Sequence, residues 1–170
     1  MFPVFFEGWL KTELKGKDWT QQLFVIRPEV FLPWMESMKE RTPAEVGGLR
    51  MIFEKFGIRE GARVLDLASG IGRMSVNLAK AGFEVVGVDI SPFYLEYATR
   101  WARKENVADR AQFYKFDMRD AARQLRKKGK EKFDAVIKFR HVDGVLRREG
   151  GRTDIQEFTR RYIFACHLGH

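Results

Sequence analysis

From Ala62 onward the chain alternates short apolar runs with segments whose apolar positions recur at helical spacing. Val64–Ala68, Phe83–Asp89, Gln112–Phe116 and Phe133–Phe139 read as strands, the second of them rich in valine. Between them run helical stretches. Gly72–Ala81 is closed by Gly82, a second opens with Ser91 as cap and Pro92 and ends near Glu105, and the third spans Arg119–Lys127. Strands and helices alternating at this interval predict an α/β fold with a doubly wound, mostly parallel sheet and right-handed crossovers.

Upstream, residues 1–41 are helix-prone but interrupted by Pro3, Pro28 and Pro33, which predicts a short helical cap. Phe2, Phe5, Phe6 and Trp9 in this stretch read as core packing. In "RTPAEVGGLRMIFEKFG", Thr42 and Glu45 have the spacing of a capping box around Pro43, and Gly57 supplies a stop. Val46, Leu49, Phe53 and Phe56 would share one face of that helix and lie against the sheet. After Phe139 the pattern stops, with one amphipathic helix expected near Asp154–Phe164. The domain reading is therefore a cap with the first sheet-packing helix over 1–57, a core over 58–139, and an atypical tail over 140–170. The C-terminal half of the sheet is expected to be incomplete, leaving the fourth strand as an edge open to a second copy of the chain.

Composition narrows the class. Hydrophobic residues make up 45% of the chain, too many for a disordered one. Cys166 is the single cysteine, so no internal disulfide and no cysteine-rich zinc site is expected, and no metal is assigned. The apolar start "MFPVFFEGWLK" lacks a basic leader and is too short to span a bilayer, so a soluble cytoplasmic protein without a membrane partner is expected. Net charge is +8, and residues 119–140 carry nine Lys or Arg against three acids. Such a run is either a solvated face or a nucleic-acid surface.

The stretch "VLDLASGIGR" carries the candidate chemistry. In an open parallel sheet, ligands sit beyond the carboxyl ends of the strands. Gly70 and Gly72 occupy that place after the first strand, where they permit a tight turn and close backbone approach. Asp89 ends the second strand, and a carboxylate there suits two ribose hydroxyls and repels a ribose phosphate. A dinucleotide fingerprint wants a third glycine where this chain has Ser75. Asp66, four residues before Gly70, is repulsive to a pyrophosphate but favourable to a ligand carrying an ammonium and a sulfonium.

"VLDLASGIGR", "VVGVDIS", "FYKFDMRD" and "KFDAVI" resemble, in order, the first four motifs of class I S-adenosylmethionine-dependent methyltransferases of the small-molecule type, over about residues 62–139. The resemblance implies a Rossmann-like sheet and S-adenosyl-L-methionine as cofactor. It implies that Ala68, Ser69 and Gly70 face the methionine part, with Asp66 orienting the loop or its amine. Asp89 would bind the ribose hydroxyls and Ile90 would pack on the adenine. Asp117 would accept from the adenine amine, cap the helix beginning near Met118, or do both, while the Met118 N–H meets a ring nitrogen. Arg41 is assigned to the cofactor carboxylate by its place before the capped helix.

The acceptor is read as a small molecule because the cap is short and apolar, and no catalytic residue is assigned. Lys138, at the fourth strand's end, would place a positive charge near a sulfonium and is not taken as catalytic. Two other readings stand beside this one: an NAD-dependent oxidoreductase, and a basic RNA-binding module without catalysis. The short ending has two readings as well. It completes itself by oligomerisation, or the reading frame has shifted near Phe139, in which case the chain is inactive. Dropping one base from a synonymous coding of Arg140–Arg147 yields Gly-Thr-Ser-Met-Gly-Tyr-Tyr, which is similar to the segment following the fourth strand in small-molecule members.

Overall fold

The computed structural model describes residues 21–130, 132–138, 145–146 and 153–154. A π-helical turn, Gln22–Ile26, and a 3-10 turn, Pro28–Val30, lead into α1 (Leu32–Ser37) and α2 (Thr42–Lys55). The alternating region follows: β1 (Arg63–Leu67), α3 (Arg73–Lys80), β2 (Glu84–Asp89), α4 (Pro92–Lys104), β3 (Ala111–Lys115) and α5 (Ala121–Lys127). Four short strands close the described chain: β4 (Lys132–Phe133), β5 (Ala135–Ile137), β6 (Val145–Leu146) and β7 (Thr153–Asp154). Phe2, Phe5, Phe6, Trp9, Phe139, Cys166 and the stretch expected to be helical after Asp154 lie outside the described residues.

The main sheet has the order β3-β2-β1-β5-β6. The first four strands are parallel, as the alternation predicts, and β6 runs antiparallel on β5. Both faces are covered, which is why the strands read as continuous apolar runs. The period of two sorts their side chains. Val64 and Val85 join Val46, Leu49 and Phe53 of α2 with Met74 and Leu78 of α3. Leu65, Leu67, Val86 and Val88 face the other way, onto Ala121, Ala122 and Leu125 of α5. Asp66 and Asp89 share the parity of Val64 and Val85, so both carboxylates belong to the α2–α3 side.

Several expectations change at this level. The capping box of α2 does not form: Arg41 is the N-cap, and Thr42 Oγ1 donates back to the Met38 carbonyl at 2.9 Å. Glu45 is thereby released to pair with Arg41 Nε at 3.0 Å and with Arg73. Phe56 is 42% exposed, because α2 ends at Lys55 and Gly57, at φ 70°, turns the chain. Ile58 takes the inward place, its N–H donating to the Phe53 carbonyl at 2.9 Å in a Schellman-type closure.

The helix after β3 starts at Ala121, because Asp117 Oδ1 accepts the Arg119 N–H at 2.9 Å and holds a turn there. The fourth strand divides at Asp134. Its N–H donates to the Arg63 carbonyl at 2.8 Å, and its Oδ2 accepts the Arg63 N–H at 2.8 Å. The edge expected to be open is occupied: Val136 and Ile137 of β5 register with Leu146 and Val145 of β6. Phe133 likewise pairs with Thr153 in β7, where a helix start was expected nearby. Among the described residues no helix is long and apolar enough to cross a membrane.

The segment before α2 is seated on the core rather than beside it. Leu23 and Phe31 bury against Ile71 and Tyr94, and the Tyr94 hydroxyl donates to the Pro28 carbonyl at 2.7 Å. Lys39 Nζ lies 4.5 Å and 4.4 Å from the ring centroids of Tyr97 and Trp101 on α4. The cap is thus held over the point where β1 passes into α3.

Candidate functional site

The carboxyl tips of β1, β2 and β3 are level. Leu67 registers with Val88, and Asp89 with Lys115. Two backbone bonds tie the tips together: Ser69 N–H to the Val88 carbonyl at 3.0 Å, and Phe116 N–H to the Asp89 carbonyl at 3.1 Å. Residues 68–70, 89–91 and 116–118 are therefore brought to one edge, and they contain nine positions from which the sequence drew most of its candidates.

The loop from Ala68 to Gly72 is built on left-handed backbone. Ala68, Gly70 and Gly72 have φ of 57°, 55° and 78°. At Gly72 a side chain is excluded twice over, since a Cβ would lie 2.7 Å from the Ala98 Cβ and 3.1 Å from the Phe113 ring. The turn comes that close to α4. Ala68 accepts the same conformation without the freedom of glycine. Gly87, in the middle of β2, is a second close approach: a Cβ there would meet the Phe113 ring at 2.6 Å and Ser69 Oγ at 3.0 Å. Ser69 Oγ itself is buried and makes no hydrogen bond among the described residues.

Asp89 spends its carboxylate on the loops. Oδ2 accepts the Gly70 N–H at 2.8 Å, and Oδ1 accepts the Ser91 N–H at 2.9 Å. Burial pushes its pKa up while these N–H donors pull it down. Asp66 is 2% exposed and accepts from the Ser75 hydroxyl at 2.6 Å. Burial pushes Asp66 up to about 7; the Ser75 hydroxyl and the Arg73 charge oppose that rise, and the Asp89 charge adds to it. Ser75, in place of a third glycine, is thus the donor to a buried acid.

Ile90 is half-buried beside Asp89, and Met118 is half-buried against the α5-side cluster. Asp117 is held differently from the expectation. Both its oxygens accept from the Arg119 guanidinium, at 2.9 and 3.0 Å from Nε, which keeps the carboxyl below the usual carboxylate range. It does not cap α5, whose N-cap is Asp120.

Arg41 is not brought to this edge by any described contact. Its side chain is 67% exposed and pairs with Glu45. The guanidinium that follows the loop in the chain is Arg73, 12% exposed, directly after Gly72, turned to α2 and bonded to Thr42 Oγ1 at 3.1 Å and to Glu45. The sequence signal for it was the arginine that closes "SGIGR", with a glutamate free to meet it once the capping box is discounted. Met35 was also missed: its sulfur lies 3.6 Å from where a Cβ on Gly70 would stand, so the cap covers the loop.

Three comparisons bear on this edge. A family model described as "Methyltransferase domain" matches residues 58–157. The match takes in the three strand tips and continues past Phe139. The 23S rRNA (uracil(747)-C(5))-methyltransferase of Pyrococcus horikoshii is 50% identical over 48 residues, covering 28% of this chain and 12% of that protein. A Bacillus subtilis protein assigned by name to the methyltransferases is 34% identical over 107 residues, covering 54% of this chain and 40% of its own length. Among solved structures, magnesium protoporphyrin IX methyltransferase from Synechocystis PCC 6803 with bound SAH is 26% identical. It superposes with a TM-score of 0.47 over 56% of this chain and 41% of that one. The chain thus spans less than half the length of these relatives.

Proposed function

This chain belongs to the methyltransferase domain family, a class I S-adenosylmethionine-dependent family, and from that premise we propose that it binds S-adenosyl-L-methionine at the β1–β2–β3 edge and transfers its methyl group. The observation that carries the reading is the joining of the Gly70 loop to Asp89. A left-handed turn, buried except at Ala68, meets a buried carboxylate at the neighbouring strand tip. When bound, the cofactor supplies a methyl group already activated on a sulfonium.

The chain's residues are then left with binding and alignment. Ala68, Ser69 and Gly70 receive the methionine part, and the lone buried Ser69 hydroxyl is a polar atom with capacity to spare. Asp89 retains acceptor capacity for a ribose hydroxyl, since its two oxygens have four lone pairs and the backbone N–H groups of Gly70, Ser91 and Ile90 take three. Ile90 offers an apolar face to the base, Met118 offers a backbone donor for its polar edge, and Asp117 becomes an acceptor there only as Arg119 releases one of its oxygens. Asp66 acts beneath the loop, through Ser75 and α3. Arg73, directly after Gly72, takes the place of Arg41 in this reading.

The acceptor is a small molecule in this reading, admitted beside the apolar cap residues over the loop, Met35 among them. A dinucleotide is disfavoured by the same electrostatics, because two buried acids lie behind the turn that would cradle its diphosphate. Calorimetric titration of the chain with S-adenosylhomocysteine and with NADH tests the proposal. Binding of the first, its loss in Asp89→Ala and silence with the second are expected. A folded chain that takes NADH, or neither, overturns it.

A further inference from the structure

We propose that the outer face of α5, the loop after it and the adjoining edge strand β3 form a docking surface for a single-stranded polynucleotide. This goes beyond the cofactor reading and does not depend on it.

The charge of the chain is distributed unevenly. On the α2–α4 side, cations and anions are interleaved: Arg50 meets Glu60 at 3.2 Å, Arg100 meets Glu96 at 3.6 Å, and Lys80 meets Glu105. On the α5 side, the acids are met first and the cations continue. Asp117 is taken by Arg119, and Asp120 by Arg123 at 2.9 Å. Beyond them come Lys127, Lys128 and Lys132, all exposed, with Lys130 half-buried. Glu131 is the one acid between 126 and 132 in the sequence. A helix C-terminus is served by one or two positive side chains. Four lysines within six residues exceed what the helix end explains.

Position selects the partner. Among the described residues β3 is the last strand of the sheet. Lys128 Nζ lies 5.5 Å from the Tyr114 ring centroid, which joins the turn to the strand. Tyr114 and Phe116, both half-buried, have parallel rings 5.9 Å apart with an interplanar angle of 4°. The two rings pack on the α5-side core by one face and remain partly open, and clustered cations beside aromatic rings suit phosphates and unstacked bases. An anionic membrane is served less well. The apolar residues of α5, Ala121, Ala122 and Leu125, all face the core, leaving nothing on the outer face to insert.

The test is fluorescence anisotropy with a labelled single-stranded RNA oligonucleotide over a salt series, with single-stranded DNA and phosphatidylserine vesicles as parallel arms. About four neutralised phosphates give a log–log salt slope near −3, or about 50-fold weakening from 50 to 200 mM salt. The pair Lys127→Glu and Lys132→Glu is expected to flatten that slope by about 1.4 and to lower affinity at least tenfold. Lys127→Gln with Lys132→Gln serves if charge reversal unfolds the chain, with a smaller loss in the same direction. Arg103→Glu with Lys104→Glu changes net charge equally on the opposite side and is expected to leave binding within about twofold. DNA bound like RNA supports the proposal, as does a preference for RNA. Equal weakening by the 103/104 pair, or binding of vesicles without either polynucleotide, overturns it. Titration with S-adenosylhomocysteine on the same variants reads the cofactor proposal separately.

Discussion

The carboxylate of Asp89 accepts the backbone N–H of Gly70 at 2.8 Å, so the tip of the second strand holds the turn that follows the first. One side chain both shapes the loop and stands where a ribose is proposed to lie. Stability and ligand affinity are therefore coupled at this residue.

Replacing Asp89 separates the two. Asp89→Asn keeps the shape but turns an NH2 toward a backbone donor, and is expected to cost about 1–3 kcal/mol. Asp89→Ala leaves the buried Gly70 and Ser91 N–H groups without this acceptor and is expected to cost more. Urea midpoints measure the first effect and S-adenosylhomocysteine titration the second. Unchanged stability in both variants would show that the bonds to Gly70 and Ser91 contribute nothing.

Ala68 holds a conformation better suited to glycine, at φ 57°. Left-handed backbone costs an L-residue roughly 1–2 kcal/mol, offset in part by the greater freedom of glycine in the unfolded chain. Ala68→Gly is expected to stabilise by up to about 1 kcal/mol, and Ala68→Val to destabilise by at least as much. The shift in denaturant midpoint at constant m-value decides it.

Gly72→Ala meets both a left-handed φ and the Ala98 Cβ at 2.7 Å. The expected loss is about 2–4 kcal/mol, combining backbone strain with overpacking against α4. Ala98→Gly in the same chain relieves only the steric part. A double-mutant cycle should therefore recover part of the loss; strict additivity would place the cost wholly in the backbone.

Asp66 gives stability a pH dependence. Its folded pKa, raised to about 7 by burial, lies above its ordinary value of 3.8. The folded state then binds a proton that the unfolded chain has released between those values. The contribution is complete below about pH 4 and is lost as pH climbs through 7, with a slope of up to about 1.4 kcal/mol per unit. Asp66→Asn is expected to remove that slope, and Ser75→Ala to move its end to higher pH. Urea unfolding from pH 4.5 to 8 reads both.

Much of this was legible in the chain because burial on both faces writes uninterrupted apolar runs. Val64 to Leu67 and Val85 to Val88 needed no tertiary information. Neither did the Ser91 cap, whose Oγ accepts the Tyr94 N–H at 3.4 Å. What was not legible depended on competing partners. Thr42 and Glu45 have capping-box spacing, but Met38 and Arg73 offered them better bonds. Arg119 drew Asp117 into a turn and delayed α5. The pairing of β5 with β6 joins residues whose local pattern is too short to announce a strand, so the edge looked bare. Arg73 was hidden for the same reason, since its role rests on Glu45, 28 positions away.

Met35 gives the loop a doorway of a particular kind. Its thioether sits against Gly70, on a side chain with three rotatable bonds and no branch. A newcomer approaching from that quarter need only swing one flexible arm aside, while Tyr94 and Lys39 keep the rest of the threshold in place. Passage would then be timed by rotamer hops rather than by wholesale opening.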